Sequence, residues 1–244
     1  MSNYEYTDPN TLLLKLEEEI GSQLGNVIEI NKKYNRIYMN DKFIKNIFTK
    51  NELRSILPII KNAGIHDAEY GIIQDPAGSA IGKNTLSGSG ASGAIYDKFT
   101  DLHCIPNIPP CASIMNSKEG SRVMHTFSPI LSGDPTYITD VINSLKKLIS
   151  SYYSAILLFS NLPECNKVPL NLVPLAGGIF ANSFLRYDID HLDPSYTIVS
   201  IILAIYLLKL EGKINKDIPL TLYIYKDNVY DITIEYIKEL LNKF

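Results

Sequence analysis

From Ala68 to the end of the chain, short apolar segments alternate with longer amphipathic ones, and turns rich in glycine, or signalled by Asp-Pro, separate them. That alternation constrains the fold more than any other feature, because strands that alternate with helices build an α/β layered sheet. The expected elements are a strand over Tyr70 to Ile73, a helix over Ser92 to Leu102, a strand over Arg122 to Phe127 and a long helix from Thr136 to about Phe159 after Asp134-Pro135. A strand over Leu170 to Leu175, a helix over Ser195 to Leu210 begun by Asp193-Pro194, a strand over Leu220 to Tyr225 and a helix over Val229 to Leu241 complete the series. The apolar run Thr197 to Leu208 is too short to span a bilayer, which takes roughly 20 residues, and reads as a buried helix.

The first quarter differs. Leu12, Leu13, Leu16 and Ile20 recur at helical spacing ahead of Gly21, and Val27 to Ile30 with Arg36 to Met39 read as a hairpin. Asp41 to Asn62 reads as two helices broken near Thr49-Lys50-Asn51. The expected organisation is an N-terminal helical and hairpin extension over 1–67, packed on one domain over 68–244.

A length of 244 residues permits a sizeable core, and 45% hydrophobic with 20% charged residues is ordinary for a globular protein. A net charge of −3 supplies no basic field, so nucleic acid is not an expected partner. Met1 to Asn10 has no basic start or apolar core of a secretory signal, and Cys104, Cys111 and Cys165 form no Cys-x-x-Cys pair. An intracellular setting, cytoplasmic or nuclear, without disulfides or membrane, is expected.

Two glycine-rich loops carry the chemistry. Gly88-Ser89-Gly90-Ala91-Ser92-Gly93, preceded by Gly78-Ser79-Ala80-Ile81-Gly82, feeds a helix, and Ala176-Gly177-Gly178-Ile179-Phe180-Ala181 follows a strand. Glycine permits close backbone approach, inward amides and a helix N-terminus suit phosphate, and ligands of open α/β sheets bind beyond the carboxyl ends of the strands. Neither loop has the Gly-Lys-Ser/Thr ending of a phosphate loop or the dinucleotide fingerprint. His125, inside an apolar strand, reads as a core residue bonded to backbone. His66-Asp67 and Asp188 to His191 carry metal-capable side chains but read as solvated loops, and no metal or cofactor is expected.

Four blocks in one order resemble the macro domain family. Leu86-Ser87-Gly88-Ser89-Gly90-Ala91-Ser92-Gly93-Ala94-Ile95 is similar to its Leu-Gly-Gly-Gly-Gly-Val-Asp-Gly-Ala-Ile pattern, and Val123-Met124-His125-Thr126-Phe127-Ser128-Pro129 to its strand Val-Ile-His-Thr-Val-Gly-Pro. Val173 to Phe180 resembles its second phosphate loop, and Leu220 to Leu241 its closing strand and helix. The resemblance implies a mixed sheet flanked by helices on both faces, a three-layer sandwich, with ADP-ribose lying across the two loops. It implies that Gly88, Ser89, Gly90, Ala91 and Ser92 and, opposite them, Ala176, Gly177, Gly178, Ile179 and Phe180 embrace the diphosphate, with Phe180 at the distal ribose. Asp41, after an early strand, is the candidate for the acid that receives the adenine amino group, against a plain role in starting a helix. The function implied is binding of ADP-ribose or a related nucleotide diphosphate, free or attached to protein. An ADP-ribosyl hydrolase or phosphoesterase, or a scaffold that has lost its ligand, are the alternatives. Gln74 to Gly78 stands where hydrolytic members carry Asn-Ala-Ala-Asn, which counts against hydrolysis.

Overall fold

The computed structural model describes residues 8–77, 90–99, 112–116 and 122–244. Helix α1 (Pro9–Ile20) starts at Asp8, whose carboxylate accepts from the Thr11 amide, and ends at Gly21 in the left-handed region at φ 62°. A hairpin of β1 (Ile28–Asn31) and β2 (Arg36–Met39) follows, as expected, and forms its own two-stranded sheet. Then come α2 (Asp41–Ile47) and α3 (Lys50–Ile56), separated where the Thr49 hydroxyl and the Glu52 carboxylate form a capping box.

The next segment departs from the expected helix. Ile59–Lys61 is a strand, β3, which pairs in parallel with a strand far along the chain. The sheet therefore begins ahead of Ala68. It continues with β4 (Ile72–Ala77), and α4 (Gly90–Lys98) leads to β5 (Ala112–Asn116), an antiparallel strand that sequence periodicity does not reveal. After β6 (Arg122–Phe127) and α5 (Ile138–Ser160) come β7 (Leu170–Leu172) and a two-stranded hairpin of β8 (Leu185–Arg186) and β9 (His191–Leu192). The chain closes with α6 (Pro194–Leu210), β10 (Leu220–Tyr223) and α7 (Asp227–Asn242).

The main sheet has the order β3-β10-β7-β4-β6-β5, parallel except for β5 against β6. The steps from β6 to β7 and from β7 to β10 run the same way along the sheet. Right-handed crossovers then place α5 and α6 together on one face, where they pack on each other. The step from β4 through α4 to β6 runs the other way and puts α4 on the opposite face.

Helix α6 is apolar around its whole circumference, and Pro194 through Ile205 are all buried. Such a helix needs cover on every side. Helix α5 supplies much of it, and β2, α3 and α7 also pack against α6. Leu12 and Leu16 of α1 are buried in the same core, with α1 packed on α5. No helix among the described residues is long and apolar enough to cross a membrane.

Candidate functional site

The carboxyl ends of the five parallel strands open on one cavity of about 850 Å³, within the range of about 300–1,000 Å³ usual for small-molecule sites. After β3 it is lined by Ala63 to His66, after β10 by Ile224 to Lys226, and after β7 by Val173, Pro174 and Ala176 to Phe180. Pro76 of β4, Ser128 just past β6, and Gly90, Ala91 and Ser92 at the start of α4 complete the wall, with Asp190 and His191 from the β8–β9 hairpin. Gly90 of the first loop and Gly178 of the second border the same space, as the strand order requires. Gly88 and Ser89 lie outside the described residues, as do Cys104 and Cys111.

The second loop is fixed from several elements at once. The buried Gln74 side chain accepts from the Val173 amide at 3.0 Å, so β4 holds the end of β7. Tyr152 of α5 donates to the Val173 carbonyl and accepts from the Leu175 amide, both at 2.9 Å. The Ser128 hydroxyl accepts from the Ala176 amide, and the Leu192 amide donates to the Gly177 carbonyl, each at 2.9 Å. Ala176 sits in the left-handed region at φ 53°, where the chain turns into the loop. Among the described residues, the amides of Gly177, Gly178, Ile179 and Phe180 donate to no protein group. Every amide immediately upstream is occupied and these four are not, although three of their carbonyls are, since Gly177 accepts from Leu192, Gly178 from Ala181 and Phe180 from Leu131. A row of unpaired N–H groups at a cavity wall is an anion-binding concavity.

Across the cavity, Ala91 and Ser92 present the first turn of α4, whose amides lack intrahelical acceptors. Ser92 is buried, and among the described residues its hydroxyl has no hydrogen-bond partner. One turn on, the Tyr96 hydroxyl lies 3.1 Å from His125 Nε2, and His125 Nδ1 lies 2.5 Å from Asp75 Oδ2. His125, buried in the core as expected, thus bridges α4 and β4 through side chains.

No family model matches the sequence, and no curated protein matches it. Solved structures do. A Trypanosoma brucei macrodomain in complex with ADP is similar over 94% of this chain and 94% of its own, with a TM-score of 0.51 and 12% identity. The Trypanosoma brucei macrodomain in complex with ADP-ribose is similar over 73% of this chain and 68% of its own, at a TM-score of 0.50 and 14% identity. The fold is that of a macrodomain. The alphavirus P23pro-zbd structure also matches 76% of this chain, with a TM-score of 0.52 and 18% identity, but the chain spans only 24% of its length.

Within this macrodomain fold Asp41 is misplaced for the adenine role expected of it. It opens α2, does not line the cavity, and its exposed carboxylate meets Lys243. The Lys243 ammonium holds that carboxyl below its usual range. The early strand it follows, β2, belongs to the separate hairpin. The strand that leads into the cavity is β3, followed by Asn62-Ala63-Gly64 with no acid until Asp67.

Several cavity residues carried no signal in the sequence. Lys226 lines the wall and donates to the Asp190 carbonyl at 3.1 Å, so one basic side chain does stand near the glycine loops. Tyr225 is exposed beside it. His191, read as part of a solvated loop, is 8% exposed and tucked against Gly177. Among the described residues no cluster of three metal-capable side chains forms.

Proposed function

We propose that the cavity binds ADP-ribose or a related nucleotide diphosphate, free or attached to protein, with Gly177 to Phe180 on one side of the diphosphate and Gly90 to Ser92 on the other. The observation that carries this reading is the row of four amides without a partner among the described residues, on a loop that five hydrogen bonds hold in place. Such preorganisation lowers the ordering cost of binding, and hydrogen bonds to a charged acceptor contribute about 1.5–3 kcal/mol each, against about 1 for neutral pairs. The macrodomain solved with ADP-ribose supports the choice of ligand. Isothermal titration with ADP-ribose, with AMP and NAD as comparisons, tests it. ADP-ribose should bind with AMP weaker, and absence of any heat with ADP-ribose would remove the reading.

Release of ADP-ribose from modified protein should be absent or very slow. The first polar side chain of the β4 segment, Gln74, is fully buried, and its side-chain oxygen is taken by the Val173 amide. Pro76, which does line the cavity, has no N–H to offer a ribose or a water. Incubation with mono-ADP-ribosylated protein, followed by detection of free ADP-ribose, measures this, and efficient turnover would contradict it.

A further inference from the structure

Between the second loop and α6 the chain makes the β8–β9 hairpin, which folds back beneath the loop and is tied to it by the bond from the Leu192 amide to the Gly177 carbonyl. His191 is carried on this hairpin. A Cβ placed on Gly177 would lie 2.7 Å from His191 Nε2 and closer still to Cε1, so the ring edge abuts the loop backbone directly. His191 Nδ1 lies 3.1 Å from the Leu192 carbonyl, where it can only donate. That bond fixes the tautomer of the neutral ring and leaves the Nε2 lone pair on the side of Gly177 and the cavity that both residues line.

The surroundings disfavour the charged ring. Burial disfavours the imidazolium, and the Lys226 ammonium, from the segment after β10, adds to the effect. The Leu192 carbonyl and the neighbouring Asp190 act in the opposite direction but do not prevail, so the ring titrates below the usual histidine range. Arg186, opposite His191 in the hairpin register, is committed to Asp188 and to Asp193 at the start of α6. His66, after β3, is the other histidine on the cavity wall.

Resting on the proposed nucleotide site, we infer that His191 is a proton-linked anion contact: a phosphate seated on the Gly177 and Gly178 amides draws a proton onto Nε2, and binding tightens as pH falls. The step moves one proton from solvent to Nε2 and breaks no other bond. An anion beside the ring favours its charged form, so the bound-state titration lies above that of the free protein. Between those two values the affinity rises by up to about tenfold for each unit of acidification, and below both it levels off.

ADP-ribose is a suitable probe because both its phosphates are diesters and keep one charge each across the range used. The titration is run from about pH 8 to about pH 5.5, through the usual histidine range. The affinity of the parent protein should rise about threefold to tenfold, and the binding heat near the middle of that range should depend on the buffer's ionisation enthalpy, as proton uptake requires. In His191→Asn the side-chain amide can still donate to the Leu192 carbonyl in place of Nδ1, but nothing titrates at Nε2. Its affinity should be flat with pH and its heat independent of buffer, whereas His66→Asn should retain the slope. Parent binding that is independent of pH and takes up no proton overturns the inference and leaves the binding function intact. A slope that survives in His191→Asn, or vanishes in His66→Asn, also overturns it. Absence of ADP-ribose binding at every pH overturns both. The buffer dependence is read on the parent protein alone, so the test does not depend on the variants folding.

Discussion

Replacing Gly177 by alanine puts a methyl group 3.0 Å from the Pro174 carbonyl oxygen and inside contact distance of the His191 ring. Neither neighbour can yield easily. The Pro174 carbonyl lies between two anchored amides, Val173 on Gln74 and Leu175 on Tyr152, and His191 is held at the Leu192 carbonyl. The cost is overpacking, about 1–3 kcal/mol, which in a chain of this size lowers the melting temperature by about 2–4 °C per kcal/mol. The adjacent Gly178 has φ −109°, and a Cβ there meets nothing within 4 Å. With no neighbour to displace, Gly178→Ala should cost less than Gly177→Ala. On the proposed site, Gly178→Glu should fold as well, yet would place a carboxylate where the diphosphate is proposed to bind and weaken ADP-ribose binding at least about tenfold, about 1.4 kcal/mol. Differential scanning calorimetry and isothermal titration read the two effects separately. If Gly177→Ala melted with the parent, or Gly178→Ala lost as much as Gly177→Ala, the seating of the loop on His191 would be refuted.

Asp193 accepts from Arg36 Nε at 3.2 Å and Arg186 Nη1 at 2.8 Å, and caps α6 through the Ser195 amide. Asp193→Asn keeps the cap but leaves two buried guanidinium groups without their shared counterion, so the urea midpoint should fall by the equivalent of about 3–5 kcal/mol. Glu52 is held below its usual carboxylate range by the Thr49 amide and hydroxyl. A depressed carboxyl stabilises the fold above its unfolded value and loses that contribution as pH falls through the folded one. The stability difference between the parent and Glu52→Gln should thus be present at neutral pH and close in acid, as thermal melts across that range would show.

Elements with a strong local signature were readable. The helices after Asp134-Pro135 and Asp193-Pro194 and the β1–β2 hairpin announce themselves through start signals and periodicity. Strands made by distant partners were not. Ile59-Ile60-Lys61 is too short for its period to separate strand from helix, and its partner β10 lies some 160 residues further on. Misreading β3 misplaced the nucleotide acid as well. With no strand recognised there, the hairpin strand β2 became the early strand, and Asp41 after it the candidate. The glycine loops, by contrast, were found because their chemistry is local to the backbone, and the structure brings the described parts of both to one cavity. His191 reads from the sequence as part of a solvated loop because what matters about it is the tuck of the hairpin under Gly177, which no spacing in the sequence encodes.

That hairpin also joins the first quarter of the chain to the site. Asp193, two residues past His191, is held by Arg36 of β2, while Arg186 of β8 lies over the Tyr34 ring, 4.4 Å from its centroid. The Asn35 side chain donates to the Leu185 carbonyl at 3.3 Å. Burial disfavours the Arg36 charge, but the Asp193 carboxylate and Tyr38 together outweigh it and hold the guanidinium protonated, so this link persists across the range in which His191 titrates. A chain of direct contacts thus runs from the N-terminal hairpin through Arg36, Asp193 and Leu192 to the Gly177 carbonyl, at the start of the four unpaired amides. Because β2 also covers one side of the wholly apolar α6, the N-terminal segment serves core burial and, through Asp193, also braces the hairpin whose Leu192 amide holds the second loop.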